Sequence, residues 1–167
     1  MPMIDLTLPA GALGPQARAE AIGAMTEALL RAEGAPDNAA TRAMSWAFVH
    51  ELPADAVHVG GVRSDRPVYR VVLTIPAGTL LHGPGPFANG ARERLVREVT
   101  EALLRAEGTD YDDGEAGRVF CLLREVPDGA WGGMGTIFRM QDIAAFATPE
   151  LAQTEVSERA RDAIAAP

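Results

Sequence analysis

Proline is the second residue of the chain, and it leads directly into a short β-prone run, MIDLTL, at residues 3–8. If Met1 is removed, Pro2 carries a secondary amine on a rigid ring held by the strand behind it. An ordinary α-amino group has a pKa of about 7.7–8.0, and burial or a nearby cation lowers it by disfavouring the charged form. A neutral amine can move a proton to or from a carbon next to a carbonyl, or attack the carbonyl as a nucleophile.

The segment after Pro2 belongs to a unit that occurs twice. Residues 25–34 (MTEALLRAEG) and 99–108 (VTEALLRAEG) agree at nine of ten positions, and residues 6–13 (LTLPAGAL) return as 73–80 (LTIPAGTL). The separation is 67 at the earlier block and 74 at the later one, so the second copy carries seven extra residues before its helix. Two copies are too few for a solenoid and indicate one pseudo-symmetric domain.

A helix is predicted between two strands in each copy. In the first copy, apolar residues recur at spacings of three and four from about Pro15 to Glu33, and Gly34 stands where a C-cap glycine belongs. The apolar stripe consists of Ile22, Met25, Leu29 and Ala32, with Val96, Val99, Leu103 and Ala106 as its counterparts. The runs 42–51 and 118–125 are then predicted to be strands.

A helix that joins two strands of one sheet requires a parallel crossover. We therefore expect an α+β fold in which two tandem β-α-β repeats, residues 2–61 and 67–135, form a four-stranded sheet with two helices on one face. The repeats make one domain over residues 1–140, and residues 141–167 are expected to form a helical tail. The other sheet face has no helix of its own, so we expect oligomerisation to cover it.

Composition narrows the classes of partner. A net charge of −8 and a pI near 4.8 argue against nucleic acid and against an anionic membrane surface. The sequence has no apolar run long enough to span a membrane and no signal segment, which predicts a cytoplasmic protein. The histidines at 50, 58 and 82 lack the spacing and carboxylate partners of a metal site, so neither a metal nor another cofactor is expected.

Together these features resemble the tautomerase superfamily, which includes 4-oxalocrotonate tautomerase, cis-3-chloroacrylic acid dehalogenase and malonate semialdehyde decarboxylase. The resemblance spans roughly residues 2–140 and rests on Pro2, the strand-to-turn segment LTLPAG, the two helices and the glycine-rich close of each copy. It implies the tautomerase fold, a homotrimer of fused chains, a small-molecule substrate and catalysis by Pro2. Pro67 stands at the matching place of the second copy, but its nitrogen lies inside a peptide bond.

Most of the charged substrate-binding residues of that superfamily are replaced in this sequence. The positions of its substrate-binding arginines hold Ala12 and Trp46 in the first copy and Thr79 and Phe120 in the second. In the loop that carries two arginines in the dehalogenases and the decarboxylase, the only ionisable side chain is His82. These changes predict a substrate less anionic than a dicarboxylate, which also suits the negative net charge.

Five residues are candidates for binding substrate. Trp46 and Phe120 replace arginines, and Trp131 matches the aromatic residue that closes the active site in small tautomerases, although it could equally be a core side chain. His82 could bind substrate or be a solvated loop residue. Arg118, at the start of the predicted fourth strand, could contact a substrate oxyanion.

The leading hypothesis is a cofactor-free isomerase in which Pro2 moves a proton on a keto–enol substrate. A hydratase, dehalogenase or decarboxylase of the same superfamily is an alternative, which the missing arginines and acid groups disfavour. Another alternative, from a different class, is an inert binding protein on the same scaffold. That hypothesis applies if Met1 is retained, because the nitrogen of Pro2 is then an amide.

Overall fold

The computed structural model describes residues 2–82 and 90–147. Its strands, in chain order, are β1 (Met3–Pro9), β2 (Trp46–Leu52), β3 (His58–Val59), β4 (Val62–Arg63), β5 (Tyr69–Pro76), β6 (Val119–Val126), β7 (Trp131–Gly133) and β8 (Thr136–Phe138). Its helices are α1 (Pro15–Glu33), α2 (Ala39–Ala43), α3 (Thr79–His82), α4 (Ala91–Glu107), α5 (Asp113–Ala116) and α6 (Met140–Ala147).

The sheet confirms the predicted α+β class. Its strand order is β2-β1-β5-β6; β1 is parallel to β2, β5 is parallel to β6, and the central pair β1–β5 is antiparallel. Helices α1 and α4 contact each other and pack in a single core with the sheet. That core contains the predicted apolar stripes except for Val96, which lies outside it while the neighbouring Leu95 is buried. Met25 and Leu29 of α1 and Val99 and Leu103 of α4 are all fully buried there.

The two long helices end as the sequence predicts. Helix α1 spans the predicted residues and has proline at its first turn, where a missing backbone N–H costs nothing. Gly34 and Gly108 stop α1 and α4 in the left-handed conformation, with φ of 68° and 84°. Their backbone N–H groups donate to carbonyls of the last helical turn, which closes both helices in the same way.

The strand register confirms the seven-residue insertion and corrects one alignment. Met3 pairs with Trp46, 43 residues further on, whereas Arg70 pairs with Phe120, 50 residues further on. With the 67-residue offset of the first strands, the counterpart of Pro2 is Tyr69, so the placement of Pro67 at the matching position was wrong. Pro2 and Pro67 are both prolines near the start of a copy, which suggested that they correspond. The hydrogen-bonded pairing of the strands instead determines which residues are equivalent.

Short elements depart from the prediction. Residues 42–45 do not extend β2, because Asn38 begins the short helix α2 in a reciprocal capping box with Thr41. Each copy also ends in a small antiparallel hairpin, β3–β4 in the first and β7–β8 in the second. Helix α6 opens the predicted tail, and residues 148–167 lie outside the described part of the chain, so the division at residue 140 stays a prediction.

One face of the sheet is open, as expected from two helices on the other face. The edge strands β2 and β6 expose large apolar side chains on it, among them Trp46 (57% exposed) and Phe120 (72% exposed). Phe48, Leu52 and Leu122 continue the exposed rows. No described helix is long and apolar enough to cross a membrane.

The shared core makes a stability prediction. Leu29→Ala and Leu103→Ala remove equivalent, fully buried side chains from the two copies, so each should lower the free energy of unfolding by about 2–5 kcal/mol. Urea denaturation at one fixed protein concentration measures this, with the exposed Glu20→Ala as a control expected to stay within about 0.5 kcal/mol. A large loss in only one of the two leucine variants would contradict a core shared equally by both copies.

Candidate active site

Pro2 lies on the wall of a cavity of about 260 Å³ formed where the two copies meet. The first copy contributes Pro2 and the end of α1, and the second contributes Pro76 and Thr79. The lining is mostly apolar, and further wall residues are Leu30, Pro36, Met44, Met140 and Ile143. Among the described residues of this wall, Glu33 is the one with an ionisable side chain.

The sheet register brings the parts of the cavity together. Pro2 is buried, and its carbonyl accepts a hydrogen bond of 3.2 Å from the backbone N–H of Trp46. The next residue, Met3, pairs with Thr74 on the antiparallel strand β5, so the end of β5 and the following helix α3 run alongside Pro2. Thus the turn that begins after Pro76 supplies a wall of the first copy's cavity.

Glu33 is the last residue of α1 and is half-buried against the cavity. Burial raises the pKa of its carboxyl to about 7, and the positive amino terminus and Thr79 oppose that shift only in part. A carboxyl in this environment is partly protonated near neutral pH and can therefore give or take a proton there.

Helix α6 closes one side of the cavity with Met140, Ile143, Ala144 and Ala147. The contacts that hold it include a hydrogen bond of 3.1 Å from the side-chain amide of Asn38 to the carbonyl of Ala147, and an edge-on contact at 5.6 Å between the rings of Phe146 and Phe138. The backbone N–H of Met140 also donates to the carboxylate of Asp128 at 2.8 Å. The first helix of the predicted tail therefore forms part of the cavity wall.

Of the residues predicted to bind substrate, those with described side chains do not line the cavity that contains Pro2. Trp46 and Phe120 point from the edge strands into the open sheet face, away from the cavity wall of their own chain. Trp131 is buried in β7 beside Phe138. His82 is the last residue of α3, and its side chain lies outside the described part of the structure.

Arg118 lies just before β6, at the far end of the sheet from Pro2, and is held by carboxylates. Its guanidinium donates to Glu107 at 2.5 and 3.1 Å, to Glu115 at 2.6 and 3.0 Å, and to the carbonyl of Pro67 at 2.7 Å. It borders an open cleft of about 700 Å³ that also includes Phe120. The structure thus brings these two candidates together, but apart from Pro2.

The carboxylates around Arg118 are the second copy's version of the cavity wall. The 74-residue offset makes Glu107 the counterpart of Glu33 and Arg118 that of Met44. Where the first copy has an apolar opening, the second therefore has a guanidinium between two carboxylates. Tyr69 replaces Pro2, and burial together with the charge of Glu107 raises the pKa of its hydroxyl to about 12.

Sequence reasoning missed Glu33. Glu33 lies inside the duplicated block, and its identical counterpart Glu107 also stands at the end of a helix. A glutamate repeated at two helix ends is typical of a solvated surface position. Comparing Met44 with Arg118 was the available signal, because only one of the two glutamates has kept an arginine partner.

The same arrangement of strands and helices is found in several solved structures. A member of the cis-3-chloroacrylic acid dehalogenase family named N1 superimposes with a TM-score of 0.66 at 17% identity, covering 93% of this chain and 99% of that chain. The Q0 fused 4-OT, a symmetric trimer, gives 0.61 at 20% identity, covering 87% and 98%. The F6 fused 4-OT, an asymmetric trimer, gives 0.61 at 18%, covering 81% and 94%.

The chain has the tautomerase fold. No protein-family model matches its sequence, and no curated protein matches it. At identities this low the likeness shows the fold alone, so the chemistry must be argued from the site. Within the part of the chain that the structure describes, no group of three or more metal-ligating side chains is present.

The Arg118 cluster of this tautomerase fold predicts a pH-dependent stability. Hydrogen bonds from Arg66 and then Arg118 lower the pKa of Glu115 to about 2, whereas an unfolded glutamate has a pKa of about 4.3. The folded state therefore holds this proton more weakly, and the stabilisation is complete above about pH 4.3 and lost as pH falls towards about 2.

Glu115→Gln should consequently lose less stability than the wild type between pH 5 and pH 2.5, which thermal unfolding across that range measures. Glu93→Gln, an exposed carboxylate on α4, is the matched control and should follow the wild-type curve. Parallel curves for the wild type and Glu115→Gln would show that the cluster does not carry this dependence.

Proposed function

We propose that this protein is a cofactor-independent tautomerase in which Pro2, after removal of Met1, acts as general base and acid on a keto–enol substrate. The observation that carries the proposal is the burial of Pro2 on the wall of a largely apolar cavity. Such a wall disfavours the ammonium form of a free terminal amine, so the amine can be neutral near pH 7.

In this mechanism, the amine of Pro2 alone can both accept and return the proton. The nitrogen lone pair of Pro2 takes a proton from the carbon next to the substrate carbonyl, and the electrons of that C–H bond move to form the enolate. The resulting ammonium returns a proton at oxygen or at a more distant carbon, which restores the free amine. Pro2 is well placed for this because its ring is rigid and its carbonyl is tied to β2.

The lining of the cavity supports an uncharged substrate. None of the described wall residues is an arginine or lysine, and the one ionisable side chain is the carboxyl of Glu33. An anionic substrate would lack a partner and meet the negative field of a chain with net charge −8. A small ketone or enol with an apolar alkyl or aryl group suits the volume and chemistry of this cavity.

Assembly as a homotrimer is part of the proposal. The neighbours described as fused 4-OT are trimers, and the open sheet face of this chain offers exposed aromatic side chains to a partner. In such an assembly, Trp46 and Phe120 of one chain would contribute to the neighbour's site.

Intact mass is the first test of the Pro2 mechanism. Protein expressed without a tag should lack the mass of Met1, and an uncharged acetylenic ketone such as but-3-yn-2-one should then alkylate the Pro2 amine. Pro2→Ala, which keeps a free but non-cyclic terminal amine, should lose at least about 100-fold in tautomerisation of aryl and alkyl enols.

Retention of Met1 would contradict the proposal, because the nitrogen of Pro2 would be an amide, and the binding-protein alternative would then apply. Full activity in Pro2→Ala would contradict it as well.

The trimer makes a separate prediction. Phe120→Glu places a charge on the open sheet face and should convert the trimer to smaller species in sedimentation velocity, because the charge would be buried without a partner. Ala19→Glu, on the exposed surface of α1, is the control and should remain trimeric. A wild-type chain that sediments as a monomer at micromolar concentration would contradict the assembly.

A further inference from the structure

The cavity holds a second proton-active group besides Pro2. Glu33 lies on the same wall, at the end of α1, and no cation joins it among the described wall residues. A carboxylate in a largely apolar cavity loses hydration that the amino terminus and Thr79 replace only in part, so the protonated form is favoured. The measure of this is the pKa of Glu33, which burial raises to about 7.

The second copy shows what the same glutamate does when it is structural. Glu107 receives two hydrogen bonds from Arg118 and is a charged member of an ion-pair cluster. At Glu33 the arginine's position is held by Met44, which lines the cavity. The first copy thus has a carboxyl in an apolar setting, whereas the nearly identical second copy pairs the equivalent carboxyl with an arginine.

Thr79 is the hydrogen-bonding neighbour of Glu33 in this cavity. Its hydroxyl oxygen lies 2.9 Å from the carbonyl oxygen of Pro76 and 3.4 Å from Oε1 of Glu33, so its single proton has two acceptors, of which Pro76 is the nearer. The hydrogen bond that Thr79 donates to Glu33 is therefore long, and it opposes the rise of the Glu33 pKa only in part.

We propose that Glu33 is the second proton-transfer group of this site, giving a proton to the substrate oxygen while the Pro2 amine takes one from the neighbouring carbon. This proposal rests on the proposed function of Pro2. It assigns the ketone oxygen to the Glu33 side of the cavity and the acidic carbon to the Pro2 side. The matching substrate is an uncharged carbonyl compound, since a substrate carboxylate would repel the carboxylate that Glu33 becomes.

The step balances within the site. The C–H bond breaks, its electrons form the C=C bond of the enol, and its proton passes to the nitrogen of Pro2. The O–H bond of Glu33 breaks and its proton moves to the former carbonyl oxygen. The enzyme is left as an ammonium–carboxylate pair, and transfer of one proton from Pro2 to Glu33 restores the starting form.

The two groups must titrate as a coupled pair. Among the described wall residues, α2, α3, α6 and the end of β5 add no ionisable side chain, so Glu33 and the Pro2 amine are the two proton-active groups of this lining. Activity requires one group neutral as an acid and the other neutral as a base. A bell-shaped pH dependence follows, and its limbs belong to the pair.

The test compares Glu33→Gln with Glu27→Gln, an exposed glutamate on the same helix. The rate of Pro2 alkylation by but-3-yn-2-one is followed by intact mass from pH 5 to pH 9, and peptide mapping separates the adduct on the Pro2 amine from adducts elsewhere in the chain. Cys121 should contribute few of those other adducts because burial raises the pKa of its thiol to about 12.

For the wild type and Glu27→Gln, the alkylation rate plotted against pH should be bell-shaped, with one limb near pH 7. For Glu33→Gln, the fall in rate at high pH should disappear, and the rate at pH 6 should be about 100-fold lower. An unchanged rate and profile in Glu33→Gln, with Pro2 still labelled, would overturn the role of Glu33 alone. Absence of labelling in the wild type would overturn the proposed function, and the role of Glu33 with it. If Glu33→Gln does not fold, carbon-13 NMR titration of the wild type decides, since ionisation near the ordinary value of about 4.3 would overturn the proposal.

Discussion

The antiparallel pairing of β1 with β5 is the contact on which the rest of this molecule depends. It joins two β-α-β units into one sheet, and its register sets Met3 opposite Thr74. Because of that register, Pro76 and Thr79 of the second copy lie beside Pro2 and Glu33 of the first. A shift by one residue would turn the core side chains of both central strands to the wrong face, so the core and the site are fixed by the same ladder.

Pseudo-symmetry makes the two ends of this sheet comparable, and they differ in chemistry. At one end a proline stands next to an apolar cavity with a carboxyl in it. At the other, Tyr69 and Arg118 occupy the corresponding places, and the guanidinium of Arg118 donates to the carbonyl of Pro67 just upstream of Tyr69. The backbone is continuous through Tyr69, so the second copy has no position for a free amine.

The repeat and the long helices could be predicted from sequence because their signals are local. The stripe through Met25 and Leu29 has helical spacing, and Gly34 ends α1 where a left-handed residue is needed. The site was less predictable, since the contact between Glu33 and Thr79 joins residues 46 apart and exists only in this register. Any contribution of Trp46 and Phe120 to a neighbouring chain's site belongs to the proposed trimer, about which the repeat pattern carries no information.

The cluster around Arg118 also bears on how such a duplicated chain can evolve. A cavity with a desolvated carboxyl is a stability cost that a single small unit must carry at every one of its sites. In the fused chain, one copy is free to become a structural support that pairs its glutamate with an arginine, while the other retains the desolvated carboxyl. Sequence changes in the supporting half then alter mainly the stability of the protein, and changes in the other half alter the shape and chemistry of the cavity.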